Sequence, residues 1–287
     1  MRFDKNQYIA SLDRFKWSID KDELELGDSK KRTLTPEEEE AGVNLEGPEF
    51  ISVHPKQDSL RFFAPGAKYQ IRKYIINCVN VPYIDVADAR LIPQNGDVTI
   101  YKNAKLDTLE NASIIANTVT KYHKISHVKA EIFGRRDYLA SGDYQYIDEN
   151  KKPYQIHFAK IKPDTSGQTL SEGEIPERAQ FKFNDYFSFA GKVVLFAAQP
   201  YLTFIGGTKI VHQCKDLPKS YLKFEGEINP NNIQIPLPKT AFDMNGSPVG
   251  TGFYFEPDSG RLKQTFVSLM EEGSRQDRKS TRLNSSH

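Results

Sequence analysis

The chain has little of what chemistry is most often built on. It contains two cysteines and six histidines in 287 residues. Neither a Cys-x-x-Cys nor a Gly-x-Ser-x-Gly occurs, so the motif for paired thiols and the nucleophile elbow are both missing. There is no charge excess either. The 39 basic and 38 acidic residues leave a net charge of +1, which gives no reason to expect nucleic acid or an anionic membrane as a partner. Long apolar runs are also absent. The longest, residues 193–198, falls far short of the roughly 20 residues that span a bilayer and has the length of a buried strand. The opening Met1-Arg-Phe-Asp-Lys-Asn lacks the apolar region of a signal peptide. With 38% hydrophobic residues and a mean hydropathy of −0.59, the chain is polar for a compact globule. That balance suits a thin or elongated β structure with much surface per core residue.

What is present is alternation. Val128, Ala130 and Ile132 alternate with Lys129 and Glu131. Tyr154, Ile156 and Phe158 alternate with Gln155 and His157, and Phe181, Phe183, Phe187, Phe189, Val193 and Leu195 all fall at odd positions. A period of two marks strands with one buried face. Turn signals separate them: Gln94-Asn-Gly96, Gly134-Arg-Arg-Asp137, residues 148–153, and Gly206-Gly207 as a turn or bulge. The fold class is therefore all-β.

One or two short helices are expected near the N-terminus. Tyr8, Leu12 and Phe15 at i, i+4, i+7 predict a helix within residues 6–15. Two short strands follow, carrying Phe15, Trp17 and Ile19, then Leu24 and Leu26, around a turn at Asp20-Lys-Asp22. Trp17, the single tryptophan, reads as a core anchor, with ligand stacking as the alternative. Thr35-Pro-Glu-Glu-Glu-Glu40 predicts a second, exposed helix with a threonine cap, proline at the first helical position and acids in the first turn. Its four glutamates read as a solvated charge run. The chain divides into N-terminal elements (1–27), a polar insertion (28–48), a β-repeat region (49–270) and a tail (271–287).

Gly96, Gly142 and Gly191 lie 46 and 49 residues apart, each after a small or turn-forming residue and before a strand. Such phasing predicts stacked β-hairpin units, arranged as a β-solenoid, a folded β strip or a sandwich-like array. Ala190-Gly-Lys-Val-Val-Leu and Leu202-Thr-Phe-Ile-Gly206 resemble the OstA-like β repeats of lipopolysaccharide-transport proteins, where a β strip shields lipid chains. Phe15-Lys-Trp-Ser-Ile-Asp20 and Phe224-Glu-Gly-Glu-Ile-Asn-Pro-Asn-Asn-Ile-Gln-Ile-Pro236 are similar to segments of large uncharacterised multi-repeat β proteins of Bacteroidetes-type bacteria. Both resemblances imply a periplasmic, outer-membrane-associated or secreted setting. Residues 277–287 resemble a translated sequencing adapter, so the chain is expected to be a fragment of a longer protein.

Candidate sites are few. His123 and His127, four apart on a strand, would share one face about 13 Å apart, too far to share a metal. His157 and His212 read as ordinary strand residues. Asp164-Thr-Ser-Gly167 and Asp258-Ser-Gly260 resemble aspartic-protease loops but have turn composition. Gly206-Gly-Thr-Lys209 lacks the spacing of a phosphate loop. Tyr144, Tyr146 and Tyr201 would bind sugar or acyl chains if they lined one open face; core packing is the plainer reading. Cys78 and Cys214 admit either a disulfide in an oxidising compartment or two buried thiols, and their apolar surroundings favour thiols. No catalytic residue, cofactor or metal site is assigned. The expectation is a non-enzymatic structural or interaction scaffold of the bacterial envelope, partnered by other envelope proteins or further repeats. The alternatives are a lipid-transport β strip and a carbohydrate-binding or carbohydrate-processing module.

Overall fold

The computed structural model describes residues 1–29, 34–40, 42–43, 45–211, 221–236, 241–258 and 261–271. It is all-β, with 54% strand and one short helix. In chain order the first strands are β1 (Arg2–Phe3), β2 (Tyr8–Ser11), β3 (Arg14–Ser18) and β4 (Glu23–Gly27), followed by helix α1 (Pro36–Glu40). Next come β5 (Glu49–Ser52), β6 (Arg61–Phe63), β7 (Gly66–Gln70), β8 (Ile75–Val79), β9 (Ile84–Val86), β10 (Ala89–Ile92) and β11 (Val98–Ile100). The long strands are β12 (Leu109–Ala116), β13 (His123–Gly134), β14 (Asp137–Ile147), β15 (Pro153–Pro163), β16 (Thr169–Ile175) and β17 (Phe187–Phe196). They are followed by β18 (Thr203–Ile210), β19 (Leu222–Glu227), β20 (Ala241–Phe242), β21 (Pro248–Asp258) and β22 (Arg261–Glu271).

These strands make four sheets. Their orders are β1-β2-β5-β6, β11-β8-β7-β4-β3, β20-β21-β22, and a ten-stranded β19-β18-β17-β16-β15-β14-β13-β12-β10-β9. The residues form two compact units. The first holds Met1–Tyr144, His157–Glu172 and Leu195–Pro200; the second holds Gln145–Ile156, Gly173–Val194 and Tyr201–His287.

The first unit builds its core from short strands with alternating burial. Tyr8, Phe50 and Phe62 form one aromatic group, with Phe50 stacked on Phe62 at 5.8 Å. The helix predicted within residues 6–15 is instead β2 and the start of β3. Tyr8 and Ala10 are buried while Ile9 is exposed, so period two overrides the helical spacing. Buried polar side chains tie these layers together. The Asn6 amide donates to the carbonyls of Tyr74 (2.7 Å) and Ile100 (3.2 Å). The Tyr8 hydroxyl donates to Gln57, whose amide in turn donates to the Ala104 carbonyl at 2.7 Å.

The second unit has an aromatic core. Phe181, Phe183, Phe189 and Phe204 are all at most 2% exposed. Phe183 meets Phe204 edge-on at 4.8 Å, and Phe189 meets it at 5.1 Å, the separations that aromatic quadrupoles favour. Tyr146, Tyr154 and Phe224 close the cluster. Gly206-Gly207, expected as a turn or bulge, lies within the unbroken β17–β18 ladder, with Gly206 opposite Gly191. Ile233-Gln-Ile-Pro236 alternates apolar and polar residues as a strand would, but forms none.

The three phased glycines sit in different local settings. Gly96 takes φ +73° in a tight turn. Gly142 lies inside β14, where a Cβ would come within 2.9 Å of Val128 and Ile125. Gly191 faces Gly206 across a ladder too close for side chains.

Candidate functional site

The most unusual surface of the first unit is its edge strand β3. Sheet rows run Phe15–Leu26–Ala67–Cys78–Val98 and Trp17–Leu24–Tyr69–Ile76–Ile100. Leu26, Ala67, Cys78 and Val98 are all at most 5% exposed, as are Ile76 and Ile100. The same face then continues onto β3, where Phe15 is 57% and Trp17 is 55% exposed. Ile19, in the turn that follows, is exposed as well. Trp17 is therefore a surface residue, correcting its reading as a core anchor. It stands in the core row, but on the last strand of the sheet, beyond the residues that cover its neighbours.

The other face of β3 is polar. Lys16 stands opposite Glu25, whose carboxylate pairs with Lys68 at 3.6 Å. Among the described residues β3 has no strand on its outer side, so every second residue turns its N–H and C=O outward. Edge strands are normally blunted by charge or proline because they template pairing. Here the blunting is limited to Arg14 and Lys16, and the apolar face is open. Covering roughly 100 Å² of each ring would contribute about 2–3 kcal/mol at about 25 cal/mol per Å².

A second feature is a cleft of about 440 Å³ lined by His54, Lys56, Lys105, Glu131, Phe133 and Asp137 among others. Gln57, held between Tyr8 and Ala104, forms part of its wall. The β13–β14 hairpin reaches this wall closely, with the Arg135 N–H donating to the Gln57 carbonyl at 3.0 Å. A Cβ on Gly134 would lie 2.9 Å from the Lys56 carbonyl oxygen, so only glycine allows the approach. The cleft mixes both charge signs and converges on no single reacting position.

The histidines separate. His123 is 1% exposed, while His127 is exposed. They do not share a face, because β13 bulges between them. His127 adopts φ 50° and the β13–β14 register shifts between Ser126 and Lys129. One inserted residue reverses the facing of everything after it. The neighbouring strand β12 is irregular at the same level, with Asn111 at φ 51°. On the outer face Asp143 joins two imidazoles, His157 Nδ1 at 2.8 Å and His127 Nδ1 at 3.5 Å. On the inner face His123 Nε2 lies 2.7 Å from the Gln199 carbonyl and Nδ1 lies 3.2 Å from the Tyr144 hydroxyl. A neutral ring satisfies both, donating from Nε2 and accepting at Nδ1. Burial lowers the His123 pKa below its ordinary 6.5, opposed by the Gln199 hydrogen bond.

The other expected positions are structural. Asp164 folds back on the Ser166 and Gln168 N–H groups, an ordinary side-chain-capped turn. Tyr144 is bound to His123, and Tyr146 is buried against Phe181 and Phe204. These tyrosines line no open face. Cys78 is a buried free thiol whose pKa burial pushes well up. Cys214, His212 and the Ser-Gly of Asp258-Ser-Gly260 lie outside the described residues. Of the four glutamates, Glu38 is not merely solvated. Its carboxylate accepts from the Tyr83 hydroxyl at 2.5 Å, and the Arg90 guanidinium stacks 3.5 Å from the Tyr83 ring centre. Arg90 also forms a two-pronged bond to Asp85 at 2.8 and 2.9 Å. Sequence spacing had no means of finding this group, since 45 residues separate Glu38 from Tyr83.

Among the described residues no group of three or more His, Cys, Asp or Glu is arranged to hold a metal ion. Among the same residues no helix is long and apolar enough to cross a membrane. Comparison with family models, curated proteins and solved structures finds no match to the chain.

Proposed function

We propose that this chain is a non-enzymatic interaction scaffold that presents the edge of its five-stranded sheet to another protein, in the bacterial envelope setting implied by its resemblance to multi-repeat β proteins. The observation that carries this reading is the exposed row Phe15–Trp17 on an edge strand that is unpaired on its outer side among the described residues. Contiguous exposed aromatics at a sheet edge mark an interaction surface. A protein partner is preferred to lipid or glycan for two reasons. The Trp17 indole N–H is the one polar side-chain group of the Phe15–Trp17 row, too little to orient a sugar, and the aromatic core of the second unit is filled by its own rings. The polar groups described above support the same choice, because they fasten elements to one another or line a cleft of mixed charge without converging on one reacting position.

The test is a photo-crosslinking amino acid placed at position 17 of the chain in cells, with position 119 as an exposed control. Val119 is 87% exposed but lies off the sheet edge. Peptide adducts at position 17 and none at 119 are expected. Acyl or glycan adducts would replace this reading with a lipid-strip or carbohydrate one, and an absence of adducts would remove it.

A further inference from the structure

We infer that the occupant of the β3 edge is an extended, acidic–apolar alternating segment of a different protein, added as an antiparallel sixth strand. This rests on the interaction reading above and specifies its partner. Two observations carry it.

The first is the strand that already fits β3. On its inner side β4 sets Leu26 against Phe15, Glu25 against Lys16, Leu24 against Trp17 and Glu23 against Ser18. Residues directly opposite in an antiparallel pair share a face, and opposite charges there are favourable. The outer side of β3 presents the same side chains on the same two faces. A strand with the Glu-Leu-Glu-Leu pattern of β4 would therefore lay its apolar residues over Phe15 and Trp17. Its carboxylates would reach Lys16, for which no ion pair is found among the described residues. Glu25, opposite Lys16, is drawn instead towards Lys68.

The second is that β3 does not suit a second copy of itself. Antiparallel self-pairing must keep apolar residues opposite apolar ones. The register centred on Lys16 uses the whole strand but sets Lys16 against Lys16. The register centred on Phe15 sets Arg14 against Lys16 twice. The register centred on Trp17 escapes like charges, but pairs only residues 16–18, because β3 gives way to a 3-10 turn at Ile19. Like charges directly opposite are destabilising, so the edge is closed to self-association and open to an acidic partner. Main-chain bonds would supply affinity, and the Lys16 and aromatic positions would supply selectivity.

The test uses the full chain and a terminally capped peptide copying residues 22–28, followed by amide chemical shifts. Saturable shifts confined to residues 14–18 and their β4 neighbours are expected. A peptide with lysine in place of both glutamates should bind at least tenfold more weakly to the unaltered chain, a comparison that needs no variant. Lys16→Glu should reverse the preference. Equal binding of both peptides, or no saturable shift at residues 14–18, overturns the inference even if position 17 crosslinks to protein in cells. Concentration-dependent shifts at residues 14–18 without peptide would assign the edge to a second copy and overturn it as well.

Discussion

Asp88 and Thr169, 81 residues apart, are joined by two hydrogen bonds to one carboxylate oxygen. Asp88 Oδ1 accepts from the Thr169 backbone N–H at 2.9 Å and from its hydroxyl at 2.5 Å. The buried Tyr138 hydroxyl lies 2.7 Å from the same threonine oxygen and can donate to it. A turn between β9 and β10 is thereby fastened to the start of β16.

Replacing Asp88 with alanine leaves the Thr169 N–H and hydroxyl without their acceptor. An unsatisfied buried donor costs about 1–3 kcal/mol. Asp88→Ala is expected to lower unfolding free energy by about 2 kcal/mol in urea titrations, and Asp88→Asn, which keeps an acceptor oxygen, by less. An unchanged midpoint would show that water replaces the carboxylate.

His123 gives the first unit a pH dependence of known sign. Its folded pKa lies below the ordinary 6.5, so in the window between the two values the unfolded chain binds a proton that the folded chain does not. The stabilisation is complete above about pH 6.5 and is lost as the pH falls through the folded pKa. The melting temperature of the unaltered chain should therefore drop more steeply below pH 6.5 than that of His123→Gln. Parallel curves would mean that the buried ring titrates normally.

Glu38 behaves in the opposite chemical sense with the same direction. Its pKa is lowered, first by the Thr35 backbone N–H and then by the Tyr83 hydroxyl. The docking of α1 is present above the ordinary glutamate range and lost as the pH falls through the depressed value. Tyr83→Phe removes one donor and should move the Glu38 titration midpoint upward in carboxyl NMR. Amide exchange at residues 38–40 should accelerate together with it. A midpoint that stays in place would place the cause entirely in the helix cap.

Two glycines separate crowding from backbone conformation. A Cβ on Gly206 would lie 2.4 Å from the Ala190 carbonyl oxygen and 2.7 Å from Gly191 Cα. Both are backbone atoms, so relief requires the strands to part. Gly206→Ala should cost at least about 1–3 kcal/mol, in the range of overpacked interiors. Gly167 has φ +84° with open space around it, and Gly167→Ala should cost only the roughly 1 kcal/mol of a left-handed residue. Similar losses at both sites would mean that the β17–β18 ladder flexes freely.

The periodic strands were legible from sequence because burial on one face forces alternation, as in β13, where Val128, Ala130 and Ile132 are buried and Lys129 and Glu131 exposed. The α1 cap was legible too. Thr35 Oγ1 accepts the Glu38 N–H, and Glu38 returns the bond to the Thr35 N–H. What was hidden depends on where the strands sit in the sheet. His127 breaks parity through a left-handed backbone that its residue type does not announce. Gly206-Gly207 has turn composition, yet serves close strand approach. Glu38, Tyr83 and Arg90 meet only through the fold. The open edge was hidden for the same reason, since Phe15-Lys-Trp reads identically on an inner strand and on a last one.

That last ambiguity has a direct optical test, because Trp17 is the sole tryptophan. At 55% exposure its emission should be red-shifted like that of a solvated indole, and acrylamide should quench it nearly as well in the folded as in the unfolded chain. Trp17→Ser should change stability by less than about 1 kcal/mol, as surface substitutions do, where a buried tryptophan would cost about 3–5 kcal/mol on truncation. When the acidic–apolar peptide binds, the same emission should shift to the blue and its quenching should fall, because the ring becomes covered. Emission that is already blue-shifted and protected in the free chain would place Trp17 in a core and remove the edge surface altogether.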